Sequence, residues 1–485
     1  MDRFRDALLL PPHQSLKTMI TRIARKECIE MIRDGRFRWA AGIVFVLLAG
    51  SLIVGWKHYA DVEAQRAESQ TADRETWVSQ GEKSQHSAAH FGSYAFKPTS
   101  PLSSIDRGVL PYTGVSVFME AHRVKEAGYR PVEDANAMHR LGALTAASTL
   151  QLLIPLLIIL LAFSSFAGER EQGTLRQLMS LGLQRRTVAL GKALGVVLPL
   201  MLLLAPAAVV GAVAMALYAG PDAALWSLPR LFLMVVLYLL YFGLFIGLAL
   251  IVSARASSAR VALIVLLGFW LWSSFLVPRA ATDVADVLFP TPTSVEFDRA
   301  VQADYDQLPA WTDRTRDVEE RLMQEHGVDT PDQIPVSVAG YTLLEAEEDE
   351  TRVYRKHFDA LGDTYLAQNR VVQAGALLAP MVAVQAASMG LAGSDYVHHR
   401  HFVEAAEAHR YEFVQTLNRD MVAQNASWDY RAGRAMWESI PAFTYESPGL
   451  GWMLGHYTIG LGLLGLWFVA VVLMVPVAVT RMKIN

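Results

Sequence analysis

Two unbroken apolar runs, residues 143–167 and 193–219, flank a charged segment, and that alternation limits the fold more than any other feature of the chain. Each run can cross the hydrocarbon core of a bilayer, which takes about 20 helical residues at roughly 1.5 Å of rise each. Within lipid a helix satisfies its own backbone, so both runs are expected as transmembrane helices. The segment between them, 168–192, must then lie in water. It carries Arg170, Arg176, Arg185, Arg186 and Lys192, and the positive-inside rule places it in the cytoplasm.

Composition agrees. With 52% apolar and 19% charged side chains, the chain is too apolar for an ordinary soluble domain and too charged to lie wholly in lipid. Long aqueous segments joined to a helical membrane domain resolve the conflict. A single cysteine, Cys28, excludes disulfides within the chain and paired-cysteine metal sites. The first apolar run lacks a small-residue cleavage site after it, so it is expected to be an uncleaved anchor.

Taken in order, residues 1–37 are basic, and from Ser15 they follow a helical pattern. Leu16, Ile20, Ile23, Ala24, Cys28 and Met31 form one stripe, and Arg22, Arg25, Lys26 and Arg33 occupy much of the rest. Such a helix directly before a span lies in the membrane interface against anionic headgroups; the alternative is a short soluble helix packed on a partner. The first span is 38–56, with a cytoplasmic N-terminus. Residues 57–142 form a first far-side segment: a helix extending the span outward, then Pro-, Gly- and Ser-rich turns, then a helical stretch over 115–139. After the second span (143–167), the charged segment and the third span (193–219), a short turn is expected at 220–230. The fourth span is 231–253 and the fifth 261–277, ended by Pro278 and Arg279. A second, larger far-side segment covers 278–450 and is mainly helical, with acids and bases at helical spacing over 343–358 and 401–418. Residues 371–393 are long enough to span. Gln373, Gln385, Ser388 and Pro380 argue against it, and a seventh crossing would put Arg481 and Lys483 on the far side. They are read as a broken amphipathic helix pair lying on or near the outer face of the membrane. The sixth span is 452–479. The fold class is all-α and polytopic: six transmembrane helices, an N-terminal amphipathic helix and two mainly helical outer segments, with both termini cytoplasmic.

The charged segment has internal order. Glu169, Arg170 and Glu171 precede Gly173 and Thr174; Leu175, Arg176, Leu178, Met179 and Ser180 make a second amphipathic turn. A short surface helix between two spans can receive a push from a docked partner and pass it to both; the alternative is a plain connecting loop. This pattern, continuing through Arg185-Arg186 and Gly191-Lys192, resembles the coupling region of type-2 ABC exporter permeases, where an E-x-G-T-L stretch follows the second of six helices. The N-terminal helix, with Ile20, Ile23, Arg25, Lys26 and Met31, is similar to that family's elbow helix. Residues 90–114 and 378–410 resemble a subgroup with enlarged periplasmic segments, like the permeases of nitrous-oxide-reductase maturation and gliding motility.

The resemblance implies a bacterial inner-membrane permease working as a dimer, of identical chains or with a paralogue, above two ABC ATPase subunits that bind ATP and Mg²⁺. It implies lipid contacts and no nucleic-acid partner. The chain has no G-x-x-x-x-G-K-[ST] motif, since the Gly191–Gly195 stretch lacks the upstream glycine and the Ser/Thr for Mg²⁺, so the energy is expected from a separate polypeptide and no cofactor from this one. No G-x-S-x-G nucleophile motif is present, and an enzyme is not expected.

Two rival functions are weighed. In one, the same motion works a periplasmic partner through the outer segments and nothing is transported. In the other, the chain is a membrane-anchored metal-delivery protein using His398, His401 and Glu404, with Asp395, His399, Glu407 and His409 nearby. Helical spacing could place that trio on one face. The same spacing describes a solvated, charge-paired helix, so no metal centre is read into this chain. Ser164, Ser165, Ser273, Ser274 and His456 are expected near span ends, with no buried chain of acids and bases between the helices.

Overall fold

The computed structural model describes residues 16–133, 144–180 and 182–483. Residues 1–15, the end of the expected 115–139 helix and the start of the second apolar run therefore lie outside the described residues.

In chain order, α1 (Leu16–Arg33) leads into α2 (Gly35–Val78) and α3 (Gln85–Phe91). An antiparallel ribbon follows, β1 (Ser93–Phe96) paired with β2 (Ser116–Met119), Tyr94 opposite Phe118. Next come α4 (Ala146–Glu171), α5 (Thr174–Ser180), α6 (Arg185–Tyr218), α7 (Pro221–Arg255) and α8 (Ala259–Leu288). The outer segment holds α9 (Ser294–Tyr305), α10 (Trp311–His326), α11 (Val338–Ala374), α12 (Pro380–Ala392), α13 (Tyr396–Ala423) and α14 (Arg434–Ser439). The chain closes with α15 (Leu450–His456) and α16 (Thr458–Thr480). Six helices are long and apolar enough to cross a membrane: α2, α4, α6, α7, α8 and α16. This is the expected set.

The helices overrun the limits set by apolar content. α2 continues outward to Val78, as expected. α7 begins at Pro221, directly after Gly220 at φ 79°. The turn expected over 220–230 thus shrinks to its first residue, because a proline at the first helical position lacks only an N–H that would go unused. Nor does Pro278 end the fifth span. A π-turn at Trp272–Leu276 inserts an extra residue just before the ring, and α8 carries on to Leu288.

Within lipid, helices associate by close packing and interhelical hydrogen bonds. α4 and α7 form the centre, each with 56% of its apolar window buried, against 17% for α6 and 22% for α16. Tyr241, Leu244, Phe245 and Ala249 of α7 are fully buried. Two pairs of glycines let helices approach closely. A Cβ at Gly247 would meet Val471 Cγ1 of α16 at 2.2 Å, and one at Gly243 would meet Phe468 at 3.1 Å. Gly191 and Gly195 of α6 admit α1 in the same way: a Cβ there would sit 2.6 Å from Ile23 Cβ and 2.5 Å from Glu27 Cβ.

Two outer features differ from expectation. Residues 115–133 are β2 and turns, not helix; Val117 and Phe118 carry β-favouring side chains, and the strand has β1 as a partner. The first outer segment thus mixes helix with a strand pair. The break at 371–393 is real, with α11 ending at Ala374 and α12 starting at Pro380. The pair does not lie on a surface, however: α12 is buried along almost its whole length, packed against α7 and α16. Its small residues (Ala383, Ala386, Ala387, Gly390) let it wedge between the spanning helices.

The outer segments fold together. Trp77 of α2 donates Nε1–H to Trp437 O at 2.8 Å, Trp437 donates to Gly81 O at 2.9 Å, and Phe413 of α13 packs edge-on against Trp77. Arg410 of α13 is buried with Glu347, Glu407 and Thr351; burial opposes its charge, but Glu407 and Glu347 outweigh it and push its pKa above the usual range.

Candidate functional site

The segment between the second and third spans folds into two short helical pieces joined by glycines that alone tolerate the required backbone. Gly173 (φ 73°) separates the end of α4 from α5, and Gly182 (φ 73°) separates α5 from α6. Leu175 anchors α5 in the core; Leu178 and Met179 are half-buried. Glu171, Gly173, Arg176 and Ser180 are exposed, Thr174 is half-buried, and Thr174 Oγ1 donates to Glu169 O at 3.2 Å.

Beside these exposed residues lies a buried ionic centre. Lys192 of α6, with 2% of its side chain exposed, reaches Glu169 Oε1 at 2.7 Å and Glu27 Oε1 of α1 at 2.9 Å. One cation thus ties the elbow-like helix, the third span and the end of the second. A buried ion pair contributes little net stability but fixes register, since losing either partner strands a charge. The register is supported by Gly191 and Gly195, which bring α1 near enough for Glu27 to reach. On the outer side of α1, burial opposes the charge of Lys26, but Glu27 and Glu30 outweigh it and raise the ammonium's pKa. Ile20, Ile23 and Met31 are half-buried; Arg25 and Lys26 are exposed.

Two further connections reach the segment. α4 loosens at 163–166, and the backbone N–H groups of Phe166 and Ala167 turn to Ser253 Oγ of α7, at 3.0 and 3.1 Å. Arg170 donates to Ser253 O at 3.1 Å, and Glu171 Oε1 accepts from Ala259 N at 3.2 Å. Arg185 donates to Thr480 O and Met482 O, docking the end of α16. The expected site residues from Glu169 to Ser180 therefore lie together, over a base formed by α1, α6, the α7–α8 connection and the chain's end.

Sequence reasoning missed that base. Glu27 carried a signal: it is an acid on the helix face that also bears Ile23, Ala24 and Met31, so it needs a buried cation. Ser253 carried none, because a serine near a span end reads as interfacial.

A second polar group lies at the opposite end of the bundle, around α12. Gln151 donates to Tyr238 Oη at 3.1 Å, Tyr238 meets Ser388 Oγ at 2.9 Å, and Ser388 donates to Asp106 Oδ2 at 2.6 Å. Asp395 accepts from Tyr457 and from the His398 backbone N–H at 3.0 Å. Burial pushes the Asp106 carboxyl up, whereas His398 and Tyr457 overcome burial and hold Asp395 below its usual range. Lys97 Nζ is buried without a hydrogen-bond partner among the described residues, and its pKa is lowered to about 8 by burial, with Asp395 opposing. A buried polar chain is thus present where none was expected; its members come from five separated stretches of sequence.

The candidate metal trio does not converge. His398 Nδ1 faces Asp395, His401 Nδ1 faces Tyr445 Oη at 2.9 Å, and Glu404 pairs with Arg400 at 2.6 Å. Nearby His399 is pushed down to about 3 by burial.

A family model described as ABC-2 family transporter protein matches residues 21–326, more than half of the chain. A second, described only as a domain of unknown function (DUF3526), matches residues 294–446, which include α9 to α14. No curated protein matches.

Proposed function

This chain belongs to the ABC-2 family of transporter proteins, and from that premise we propose that it is the permease subunit of an ATP-driven exporter whose ATPase is a separate chain. The observation that carries the reading is the row of exposed residues Glu171, Gly173, Arg176 and Ser180 standing beside the Glu27–Lys192–Glu169 centre. In this reading a pair of ATPase subunits with ATP and Mg²⁺ docks on that row, on the cytoplasmic side of a bacterial inner membrane. Their closure moves α5. Because Thr174 of α5 bonds to Glu169 at the end of α4, which is tied through Lys192 to α6 and α1 and through Arg170 to α7, the push reaches four helices at once: α4, α6, α1 and α7. A second permease copy, identical or paralogous, completes the complex; the large exposed apolar face of α6 suits that contact or lipid.

Purification from the native membrane in mild detergent, with ATPase assay, tests this. A P-loop ATPase is expected in about equal amount. Gly173→Pro, which cannot reach φ 73°, should reduce both its recovery and its activity. Unchanged recovery and activity in Gly173→Pro and Glu171→Lys would overturn the coupling role.

One observation favours a second reading, in which the same motion works a periplasmic partner without transport. α2 runs unbroken from the bundle to Trp77 in the outer core, and α12 wedges the bundle's outer end. Such rigid links carry movement outward. Reconstituted complex that hydrolyses ATP, changes its outer segments and moves no lipid would favour this second reading.

A further inference from the structure

We propose that His86, His90 and His122 form a binding site for a borderline divalent transition-metal ion, Zn²⁺ being the best fit, that fastens the two outer segments together. The inference is independent of the coupling reading.

Three observations carry it. One ring nitrogen from each of the three histidines lies within 4.8 Å of the others. His86 Nε2 and His90 Nε2 are 3.3 Å apart, the edge of a tetrahedron built on Zn–N bonds of about 2.05 Å. Two imidazoles at that spacing could simply share a hydrogen bond, but that would not require the third. Secondly, His122 is oriented from behind: its Nδ1 meets Glu350 Oε2 at 2.6 Å, leaving Nε2 as the ligand atom. Glu350 is itself fixed by Tyr305 Oη at 2.9 Å. A carboxylate behind an imidazole is the usual outer support of a metal-bound histidine, setting its tautomer and raising its basicity. Thirdly, His122 is held at φ 66°, a left-handed conformation that a non-glycine residue keeps only when its surroundings impose it. Its backbone N–H is captured by Glu347 Oε2 at 2.9 Å, and Glu347 is locked in turn by Arg410. The surroundings thus force His122 into place beside α3.

The chemistry narrows the ion. Three neutral nitrogen donors suit Zn²⁺ and exclude Mg²⁺ and Ca²⁺, which take oxygen. His90 is exposed and the other two are half-exposed, so a fourth position is open to water. His86 and His90 come from α3 in the first outer segment, and His122 from the turn after β2. The supports Glu347 and Glu350 lie on α11 in the second outer segment. An ion there would tie the first segment to α11 through the His122–Glu350 bond.

The test uses the full chain in detergent, stripped with a chelator and titrated with Zn²⁺ against a chromophoric competitor, with Co²⁺ as a spectroscopic substitute. One equivalent of Zn²⁺ is expected, with visible Co²⁺ bands of tetrahedral intensity and a higher melting temperature when Zn²⁺ is present. His90→Ala, at an exposed position, should abolish the Co²⁺ bands. Glu350→Gln should weaken Zn²⁺ binding about 10–100-fold. His401→Ala should change nothing. Absence of a Zn²⁺ equivalent in the unaltered chain, or its retention in His86→Ala/His90→Ala, would overturn the proposal.

Discussion

The Lys192 ammonium lies 2.7 Å from the Glu169 carboxylate, joining the start of the third span to the end of the second beside the exposed residues of α5. Glu27 of α1 completes the centre at 2.9 Å. With two carboxylates and one cation, all largely removed from water, the centre cannot lose its cation cheaply. Lys192→Met should destabilise the chain by about 3–5 kcal/mol, read as a lower melting temperature in detergent. Glu27→Gln leaves a neutral donor and acceptor in place and should cost less. If Lys192→Met melts with the unaltered chain, the centre is not the fastening described.

Glycines on the same helix give a controlled comparison. A Cβ at Gly191 would meet Ile23 Cβ at 2.6 Å, whereas one at Gly211 would meet nothing within 4 Å. Gly191→Ala should force α1 away and cost about 1–3 kcal/mol. Gly211→Ala should be neutral or stabilising by up to about 1 kcal/mol, since alanine is the better helix former. Limited proteolysis of the α1–α2 junction would report the difference, with faster cleavage expected for Gly191→Ala alone.

These residues show where sequence reading succeeds and stops. Span count and the α5 segment were legible because lipid demands long apolar helices and water demands charge between them. Pro278 and the 220–230 turn were misread because local breaker rules yield to a π-turn and to a proline at a helix start. α12 was misjudged for a different reason: its Ser388 and small residues read as surface, yet the partners of Ser388, Asp106 and Tyr238, come from distant stretches. Contacts of that separation leave no periodic trace. Similarly, His86 and His90 share helical spacing, but nothing local announces that His122 joins them.

Ser253 offers a test of how α4 is loosened. Its hydroxyl oxygen accepts two backbone N–H groups, from Phe166 and Ala167, that the helix itself does not satisfy. Ser253→Ala would leave both without that acceptor, at a cost of about 1–3 kcal/mol for a buried unpaired donor. Amide hydrogen exchange at residues 166–168 should quicken, while exchange in α13 stays unchanged. Equal protection in both chains would show that the serine is dispensable there.

Lys97 supplies a pH dependence of defined sign. Burial lowers its folded-state pKa from 10.5 to about 8, Asp395 being the charge that opposes the fall, with neutral His399 also nearby. A lysine whose pKa is depressed by folding binds its proton more weakly in the native chain than in the unfolded one. The penalty is therefore fully present below about pH 8 and is relieved as pH rises from 8 to 10.5. At pH 7 that penalty amounts to about 3 kcal/mol, so Lys97→Met should melt higher than the unaltered chain. At about pH 9.5 the advantage should shrink by more than half, because the native lysine is by then mostly neutral. Melting curves of both chains at the two pH values decide the matter. An advantage that grew with pH, or a Lys97→Met chain less stable at pH 7, would mean that the ammonium is satisfied by its surroundings and that Asp395 outweighs its burial.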